Sequence, residues 1–300
     1  MPLGAAYFQP KSKSIKMNLK DLKIPGFTPH TAEQVADIAS KTVSRLENAV
    51  FTRPPVFDVE FAKYNTSNED YHKHDGYTSS SQLKRLQKSE KHFVDDTIDS
   101  YGDGAQQAFQ LGTLVHDDIE HRIKENRWSE WNAGTFKTKS KIDTVKREVH
   151  QETMQMIQRY RDEFNESYIL SQLLNNADAE VSFYDHYRKY KVRADAIVQN
   201  GNRIEIFDYK TVANIEGFKF DIKRYGYDIS AGMYSDIIGA LTGYKVGFNF
   251  VLICKKTGLT KIIEISDATL KDYQLKFYEL HERSQDVDTN SPKGYELEIF

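Results

Sequence analysis

Four charged residues lie in two neighbouring stretches that are otherwise largely apolar. Arg193 and Asp195 stand in VRADAIV, and Asp208 and Lys210 stand in IFDYK. Burying a carboxylate among apolar side chains is costly unless the charge is paired or bound to a metal ion. The residues alone therefore leave two interpretations open: a structural ion pair between Arg193 and Asp208, or a metal site.

A metal site of this composition would perform phosphodiester chemistry. Hard divalent cations such as Mg²⁺ bind oxygen ligands, usually one or two carboxylates together with water and a substrate phosphate. Such an ion activates a bound water molecule and neutralises the negative charge that develops at phosphorus. An adjacent lysine, here Lys210, would orient or deprotonate the attacking water and stabilise that charge.

The dipeptide Asn200-Gly201 predicts a two-residue turn that joins the two stretches into a β-hairpin. With the turn centred there, Asp195 pairs with Ile206, and Asp208 is its diagonal neighbour on the same face. The same register places the arginine opposite Asp208, and the lysine shares this face because side chains alternate along a strand. The opposite face of the first strand is expected to be core and carries Val192, Ala194, Ala196 and Val198.

A helical segment upstream carries further candidate ligands. In LGTLVHDDIE, Gly112, His116 and Glu120 recur at every fourth position and so lie on one helix face. A glycine in the middle of a helix often marks close packing against another element. The histidine and glutamate form either a surface pair or part of the site. With the carboxylates downstream, we expect His116 to belong to the site.

The elements that must position these groups are helices around a run of strands. Periodicity and capping residues predict a serine-capped helix within 77–93 and helices at about 104–124, 141–163, 167–174, 228–241 and 268–283. Runs of β-branched and aromatic residues predict strands at 179–184, 190–198, 203–210, from 247 onward, and at 261–265. We therefore expect an α/β (α+β) fold with a mixed central β-sheet, an antiparallel hairpin that carries the site, and flanking helices.

Three regions are expected along the chain. Residues 1–75 form an N-terminal accessory region, residues 76–285 form the core domain, and residues 286–300 form a polar tail. Within the accessory region, a capping box that begins at Thr31 predicts a helix. The polar stretch 65–76 is expected to be a loop.

The composition favours a folded protein and excludes several classes of site. Hydrophobic residues make up 39% of the 300 residues, which is enough for a large core. Cys254, the single cysteine, excludes a disulfide framework, a thiolate zinc site and a cysteine-bound iron–sulfur cluster within this chain. No apolar run approaches the ~20 residues of a membrane span, and no secretion signal is evident. We therefore expect a cytoplasmic protein without a membrane partner.

The net charge of −3 provides no general attraction for nucleic acid. Contacts with DNA would have to come from two local clusters of basic residues. These are Lys84, Arg85, Lys88, Lys91 and His92, and Lys137, Lys139, Lys141, Lys146 and Arg147. Each cluster is either a solvated helix face or a binding surface.

Taken in order, these motifs resemble the RecB-type branch of the PD-(D/E)XK nucleases, and more narrowly the C-terminal nuclease of exonuclease VIII (RecE) and related phage-encoded exonucleases. That pattern is a helix with G-x-x-x-H-x-x-x-E, a strand with glutamate, a strand ending R-x-D, then D-x-K-T and a helix with Y-x-x-Q-x-x-x-Y. The matching residues are Gly112, His116, Glu120, Glu180, Arg193, Asp195, Asp208, Lys210, Thr211, Tyr227 and Tyr234. Ser230 stands where the family has glutamine. The resemblance covers about residues 77–284.

The resemblance implies a site for one or two Mg²⁺ or Mn²⁺ ions. The ligands that it implies for the first ion are His116, Asp195, Asp208 and the carbonyl oxygen of Tyr209. Glu180 or Glu120 would serve a second ion, and Lys210 would activate water. The residues that it implies on the substrate side are Arg193, Glu120, Thr211, Tyr227, Ser230 and Tyr234.

The activity that the resemblance implies is hydrolysis of linear double-stranded DNA from its ends, 5′ to 3′, in recombination or phage DNA metabolism. It also implies a homo-oligomer that works beside a single-strand annealing protein, in the bacterial host cytoplasm if the chain is phage-encoded. Two alternatives stay open: an endonuclease or helicase-associated nuclease of the same fold, and a catalytically weak module that binds DNA ends or proteins. A helicase motor would be another chain, because no GxxxxGK[ST] motif is present.

Overall fold

The computed structural model describes residues 44–73, 76–95, 103–129, 143–290 and 292. The predicted helix at Thr31 and the basic residues Lys137, Lys139 and Lys141 lie outside these ranges, as do the side chains of Lys146 and Arg147. The range Arg45–Phe300 belongs to one compact unit. The described residues between Arg45 and the end of the predicted accessory region therefore lie in the same unit as the predicted core domain.

Helices occupy the described segments in which the sequence predicts them, with small shifts at their ends. The described helices are α1 (Asn68–His72), α2 (Ser80–Leu86), α3 (Glu90–Val94), α4 (Asp103–Glu125), α5 (Asp143–Glu166), α6 (Tyr168–Asn176), α7 (Phe218–Arg224), α8 (Tyr227–Thr242) and α9 (Asp267–Gln285). Among the residues described, no helix combines the length and the apolar character that crossing a membrane requires.

A mixed β-sheet lies at the centre of these helices. Its strands are β1 (Phe51–Thr52), β2 (Ala62–Lys63), β3 (Thr78–Ser79), β4 (Asp178–Asp185), β5 (Tyr190–Asn200), β6 (Arg203–Val212), β7 (Lys245–Cys254) and β8 (Thr260–Ile265). The main path runs β2-β4-β5-β6-β7-β8, and β1 and β3 also pair with β5. The pairs β6–β7 and β3–β5 are parallel, and the other pairs are antiparallel. The predicted fold class is confirmed.

Helices cover both faces of the sheet, so the core consists of two clusters. The cluster under α2, α8 and α9 includes the buried side chains of Leu83, Ile229, Ile237, Phe250 and Phe277. The cluster under α4, α5 and α6 includes those of Val115, Ile157, Phe164, Leu173 and Phe207. Because each face buries apolar surface against close-packed neighbours, the central strands are held from both sides.

Serine residues begin the two short helices before the site. Ser79 forms a capping box, in which its hydroxyl accepts a hydrogen bond from the backbone N of Gln82 at 3.4 Å and its own N donates to Oε1 of Gln82 at 2.9 Å. The single helix predicted within 77–93 is instead two helices, α2 and α3. A second cap causes the division, since the Ser89 hydroxyl accepts from the backbone N of His92 at 3.3 Å.

The hairpin between β5 and β6 has a different register from the predicted one. Asn200 pairs with Arg203, so the turn consists of Gly201 and Asn202. Asn200 stays in the strand because it also pairs with Phe51 of β1, a contact that the local sequence does not reveal. The predicted cross-strand pairing was therefore wrong by two residues. A shift of two leaves the face of each side chain unchanged, because strand side chains alternate with a period of two.

Several short elements do not follow from the sequence pattern. The segment 65–76, predicted as a loop, contains α1, which begins after its capping residue Ser67. The strands β1, β2 and β3 have two residues each, too few to give an alternating pattern. In α7, Phe218 and Ile222 are buried but Phe220 between them is exposed, which weakens the helical periodicity.

Gly232 allows α8 and α9 to pack closely, and we predict that Gly232→Ala destabilises the fold. A Cβ at this position would lie 2.2 Å from the carbonyl oxygen of Tyr273 on α9, which is backbone that has little freedom to move. Overpacking of this kind costs about 1–3 kcal/mol, and the free energy of unfolding measured with urea should fall by about that amount. Gly239→Ala is the matched control on α8, because its Cβ would meet neighbours at an ordinary 3.5 Å. Equal losses in both variants would contradict the packing explanation.

Candidate metal centre and active site

The candidate site lies where β5 and β6 separate. Their ladder ends at the pair of Ala196 and Phe207. Beyond that pair, Oδ2 of Asp195 accepts a hydrogen bond of 2.8 Å from the backbone N of Tyr209. The side-chain carboxylate of Asp195 thus accepts a hydrogen bond from the backbone of the neighbouring strand. The gap between these two strands is polar, although the sheet is otherwise largely apolar.

The hairpin register brings Asp195 level with Asp208, and not with Ile206 as predicted. The buried carboxylate of Asp208 forms an ion pair with the ammonium of Lys210 on the same strand, and that ammonium also donates to the carbonyl oxygen of Tyr209 at 3.1 Å. Burial raises the pKa of Asp208, although Lys210 opposes the shift. Burial lowers the pKa of Lys210, but the Asp208 and Asp195 carboxylates outweigh it and raise that pKa above its usual value. Lys210 is therefore an ammonium at neutral pH.

Glu180 reaches the same place from β4 with an unusual backbone conformation. Its φ is 55°, in the left-handed region that residues other than glycine rarely adopt. Its carboxylate forms an ion pair with Arg193, with an Nε–Oε2 distance of 2.7 Å. Arg193 thus pairs with Glu180, and its predicted position opposite Asp208 was wrong. Burial, and then the nearby Asp195 carboxylate, raises the pKa of Glu180 to about 8.

The alternation of side chains along β5 changes at the site. Val192 and Ala194 belong to the core cluster under α8, whereas Ala196 and Val198 belong to the cluster under α4. A regular strand would keep all four on one face, so the prediction that they share a face was wrong. The change falls at Asp195, which faces the gap between the strands.

His116 on α4 approaches the strands at the point where they separate. Its Nε2 lies 2.9 Å from the carbonyl oxygen of Tyr209, and its Nδ1 lies 3.5 Å from Oδ2 of Asp195. Gly112, one turn before His116, faces Thr211 of β6, and an alanine would also fit there at ordinary contact distance. A Cβ there would lie 3.5 Å from Oγ1 of Thr211. Both ring nitrogens of the histidine thus lie near oxygen atoms of the two strands.

The ligand atoms of His116, Glu180 and Asp195 lie within 4.8 Å of one another. Together with the carbonyl oxygen of Tyr209, they offer imidazole nitrogen and oxygen donors, which suit Mg²⁺ or Mn²⁺. Burial and then the Asp195 carboxylate raise the pKa of Glu180, and a divalent cation would oppose both effects. The residues therefore fit such an ion. In the described part of the chain, Asp208 lies outside this group, although the resemblance implies it as a ligand.

Two further predicted residues flank the centre on α4 and β6. Glu120, one turn after His116, forms an ion pair with Lys124 at an Oε1–Nζ distance of 2.6 Å. Its charge also contributes to the raised pKa of Glu180, so it lies within electrostatic reach of the cluster. Thr211 follows the lysine of β6 and packs beside the helix glycine.

Three predicted residues lie on α8, across the gap from α4. The ring centroid of Tyr227 lies 5.3 Å from Nζ of Lys210. Burial, and then the charge of Asp208, raises the pKa of Tyr234 to about 12, while a hydrogen bond with Ser80 opposes the shift. Ser230 is buried, and its hydroxymethyl group is shorter than glutamine. The amide that the family places on this helix is therefore missing from the site.

Lys84 is a cation at the site that the sequence pattern did not single out. The sequence places Lys84 in a cluster of five basic residues that forms either a solvated helix face or a binding surface. In the structure, its Nζ lies 5.3 Å from the ring centroid of Tyr227. Burial, and then the ammonium of Lys210, lowers the pKa of Lys84 to about 8. The sequence gives no signal for this role, because Lys84 lies on the helix face of Ser80, and the contact of Ser80 with Tyr234 is a tertiary one.

Comparison with curated proteins finds no significant match for this sequence. Among solved structures, the chain is similar to a "putative exonuclease" from Eubacterium rectale, with 19% identity and a TM-score of 0.53 over 78% of this chain and 91% of that one. SSO0001 matches at 13% identity and a TM-score of 0.26, over 69% of this chain and 78% of that one. VC1899 from Vibrio cholerae matches at 13% identity and a TM-score of 0.19, over 75% of this chain and 57% of that one. The first of these likenesses shows a shared fold.

A family described as "PDDEXK-like domain of unknown function (DUF3799)" has a sequence model that matches residues 79–296. This range is most of the chain and contains every residue of the candidate site. The resemblance to PD-(D/E)XK nucleases that the motifs indicate is thereby confirmed. The chain belongs to the family of PDDEXK-like domains.

Proposed function

We propose that this protein is a metal-dependent deoxyribonuclease that hydrolyses phosphodiester bonds where α4 meets β4, β5 and β6. The observation that supports this most strongly is the group of His116, Glu180 and Asp195, whose ligand atoms lie within 4.8 Å of one another. Burial and then the nearby Asp195 carboxylate raise the pKa of Glu180. In a purely structural network, this proximity of two carboxylates would be unfavourable. A divalent cation bound by both carboxylates would make their proximity favourable.

Each residue of the site would have a distinct task. His116, Glu180 and Asp195 would hold Mg²⁺ or Mn²⁺, which when bound supplies an activated water molecule and a counter-charge for the phosphate. Lys210 is held as an ammonium, so it would orient the attacking water and donate to the oxygen on which negative charge develops. Asp208 fixes the position of that ammonium through their ion pair.

A second ammonium extends the site toward a phosphate. Lys84 and Lys210 each place Nζ 5.3 Å from the ring centroid of Tyr227, and Lys84 forms no ion pair with any residue that the structure describes. Two cations held near one ring favour an anion between them. We therefore infer that both lysines contact the DNA backbone.

The family resemblance and the shared fold with an exonuclease-like protein support a more specific proposal. The substrate would be linear double-stranded DNA, degraded from its ends in the 5′ to 3′ direction, in recombination or phage DNA metabolism. A homo-oligomer and a single-strand annealing partner belong to the same proposal. Ser230, in place of the family's glutamine, would lower activity without removing a metal ligand.

Replacement of Lys210 should strongly reduce hydrolysis. We expect the wild type to release nucleotides from end-labelled linear duplex with Mg²⁺ or Mn²⁺ but not with EDTA. Lys210→Ala should lose about 10²-fold or more in rate, as removal of one preorganised donor to a developing charge typically does. Lys84→Ala should chiefly raise KM, because it removes a phosphate contact. Comparing 5′- and 3′-labelled strands gives the polarity.

Lys245→Ala is the matched control for this assay, because that lysine is exposed at the opposite end of β7 from the site. Covalently closed circular DNA separates an exonuclease, which spares it, from an endonuclease. No degradation by folded wild type with either metal ion would contradict the proposed function and favour a binding module. Cleavage that survives Lys210→Ala would contradict the location of the site.

Binding of a divalent ion should release a proton from Glu180. Burial and then the Asp195 carboxylate raise the pKa of this group to about 8, so binding of the ion near neutral pH displaces a proton from it. Titration calorimetry with Mn²⁺ in buffers of different ionisation enthalpy should detect release of up to about one proton per ion at pH 7. The release attributable to Glu180 should vanish at pH 9, where the carboxyl is already ionised.

Glu180→Gln should reduce the proton release at pH 7 and weaken Mn²⁺ binding. Glu279→Gln is the control, because that glutamate is exposed on α9. If the proton count at pH 7 were the same in the wild type and in Glu180→Gln, Glu180 would not be a ligand.

A further inference from the structure

The segment after β6 presents two large aromatic side chains to solvent. Phe220 on α7 is 70% exposed, and Tyr225, directly after α7, is 50% exposed. The helix does not need them for its own anchoring, because Phe218 and Ile222 are buried beneath it. Aromatic surface left in solvent on an anchored helix is typical of a binding site.

Cations flank both exposed rings. Nζ of Lys219 lies 5.0 Å from the ring centroid of Phe220, and the guanidinium carbon of Arg224 lies 5.4 Å from that of Tyr225. Lys223 is also exposed on this helix, which contains a single aspartate. The segment is therefore locally positive in a chain whose net charge is −3. Cations next to flat rings complement nucleic acid, which offers phosphates and bases to bind them.

Tyr225 connects this surface with the candidate active site. The rings of Tyr225 and Tyr227 have centroids 5.7 Å apart, and Tyr227 lies 5.3 Å from Nζ of Lys210. Gly226 makes the corner between the two tyrosines with a φ of 64°, and a Cβ there would lie 3.0 Å from Cγ of Lys84. Tyr225 and Tyr227 thus form an aromatic path that ends beside Lys210.

We propose that this surface stacks unpaired bases of the DNA strand next to the cleaved phosphate. Its residues are Phe220, Tyr225, Lys219, Lys223 and Arg224, and we call it the aromatic corner. The proposal rests on the proposed nuclease function and adds a substrate preference, a duplex end with a short single-stranded portion. Paired bases stay stacked inside the duplex and offer the corner only phosphates, whereas unpaired bases can pack on its rings.

The test measures binding of a DNA end that carries a fluorescent base. The probe is a duplex with a 2-aminopurine in a short single-stranded overhang, made with either overhang polarity, and mixed with the full chain in EDTA so that no cleavage occurs. Stacking on an aromatic ring quenches 2-aminopurine, so we expect quenching by the wild type. Phe220→Ala and Tyr225→Ala should each reduce the quenching and weaken overhang binding about tenfold, as loss of one stacked base does. Binding of blunt duplex should change little.

Three control variants make the result specific to the rings. Tyr225→Phe keeps the ring and should keep the quenching. Tyr187→Ala removes a tyrosine that is 96% exposed in the β4–β5 turn and should change nothing. Phe220→Leu keeps an apolar side chain without a ring, so it separates stacking from general apolar contact if Phe220→Ala is poorly folded.

The outcomes separate this proposal from the proposed function. The proposal for the aromatic corner would be contradicted if both alanine variants bound overhang DNA as the wild type does, or if they lost affinity equally for blunt and overhang DNA. A protein would then be the favoured partner of this surface. The nuclease proposal would then stand on the cleavage assay alone. If the wild type quenched the probe but cleaved no DNA with Mg²⁺ or Mn²⁺, base stacking on the aromatic corner would be supported and the proposed nuclease function would be contradicted.

Discussion

The structure of the site depends on repulsion between carboxylates that the fold holds together. Glu180 and Asp195 come from adjacent strands of a largely apolar sheet, and their proximity adds to burial in raising the pKa of Glu180. The backbone departs from regular strand geometry at these residues: Glu180 has a φ of 55°, and the β5–β6 ladder ends beside Asp195. Such departures persist only where the surroundings fix them. Under the proposed function, a bound divalent cation would make this charge arrangement favourable.

The surroundings fix the site from three sides. β6 stays paired with β7 along its whole length, so Asp208 and Lys210 remain in register although β5 has moved away. On one face, α4 packs against β6 and brings His116 to the Tyr209 carbonyl oxygen. On the other face, α2 and α8 bring Lys84 and the ring of Tyr227 close to Lys210. The polar gap is therefore enclosed by two apolar clusters, where charge interactions are strong because water is scarce.

The sequence predicts the elements of the core and the family, because periodicity and motif spacing are local properties. It fails where a distant residue decides the outcome. Phe51 pairs with Asn200 in β5, and the hairpin turn lies one residue later than the Asn-Gly dipeptide predicts. Arg193 pairs with Glu180 on β4 rather than lying opposite Asp208, and Lys84 reaches the site through the packing of α2 on α8. The exposed rings of α7 give no helical signal, because exposure follows from tertiary packing.

The measurement that tests the central claim most directly is diffraction from crystals of the wild type soaked in Mn²⁺, recorded where manganese scatters anomalously. The account predicts an anomalous peak within about 2.5 Å of the carboxylate of Asp195 and of a ring nitrogen of His116. The same peak should be missing from crystals of Asp195→Asn. Ordered wild-type crystals with no peak in this gap, or with manganese bound only elsewhere, would contradict the claim that the carboxylates are held together for a metal ion.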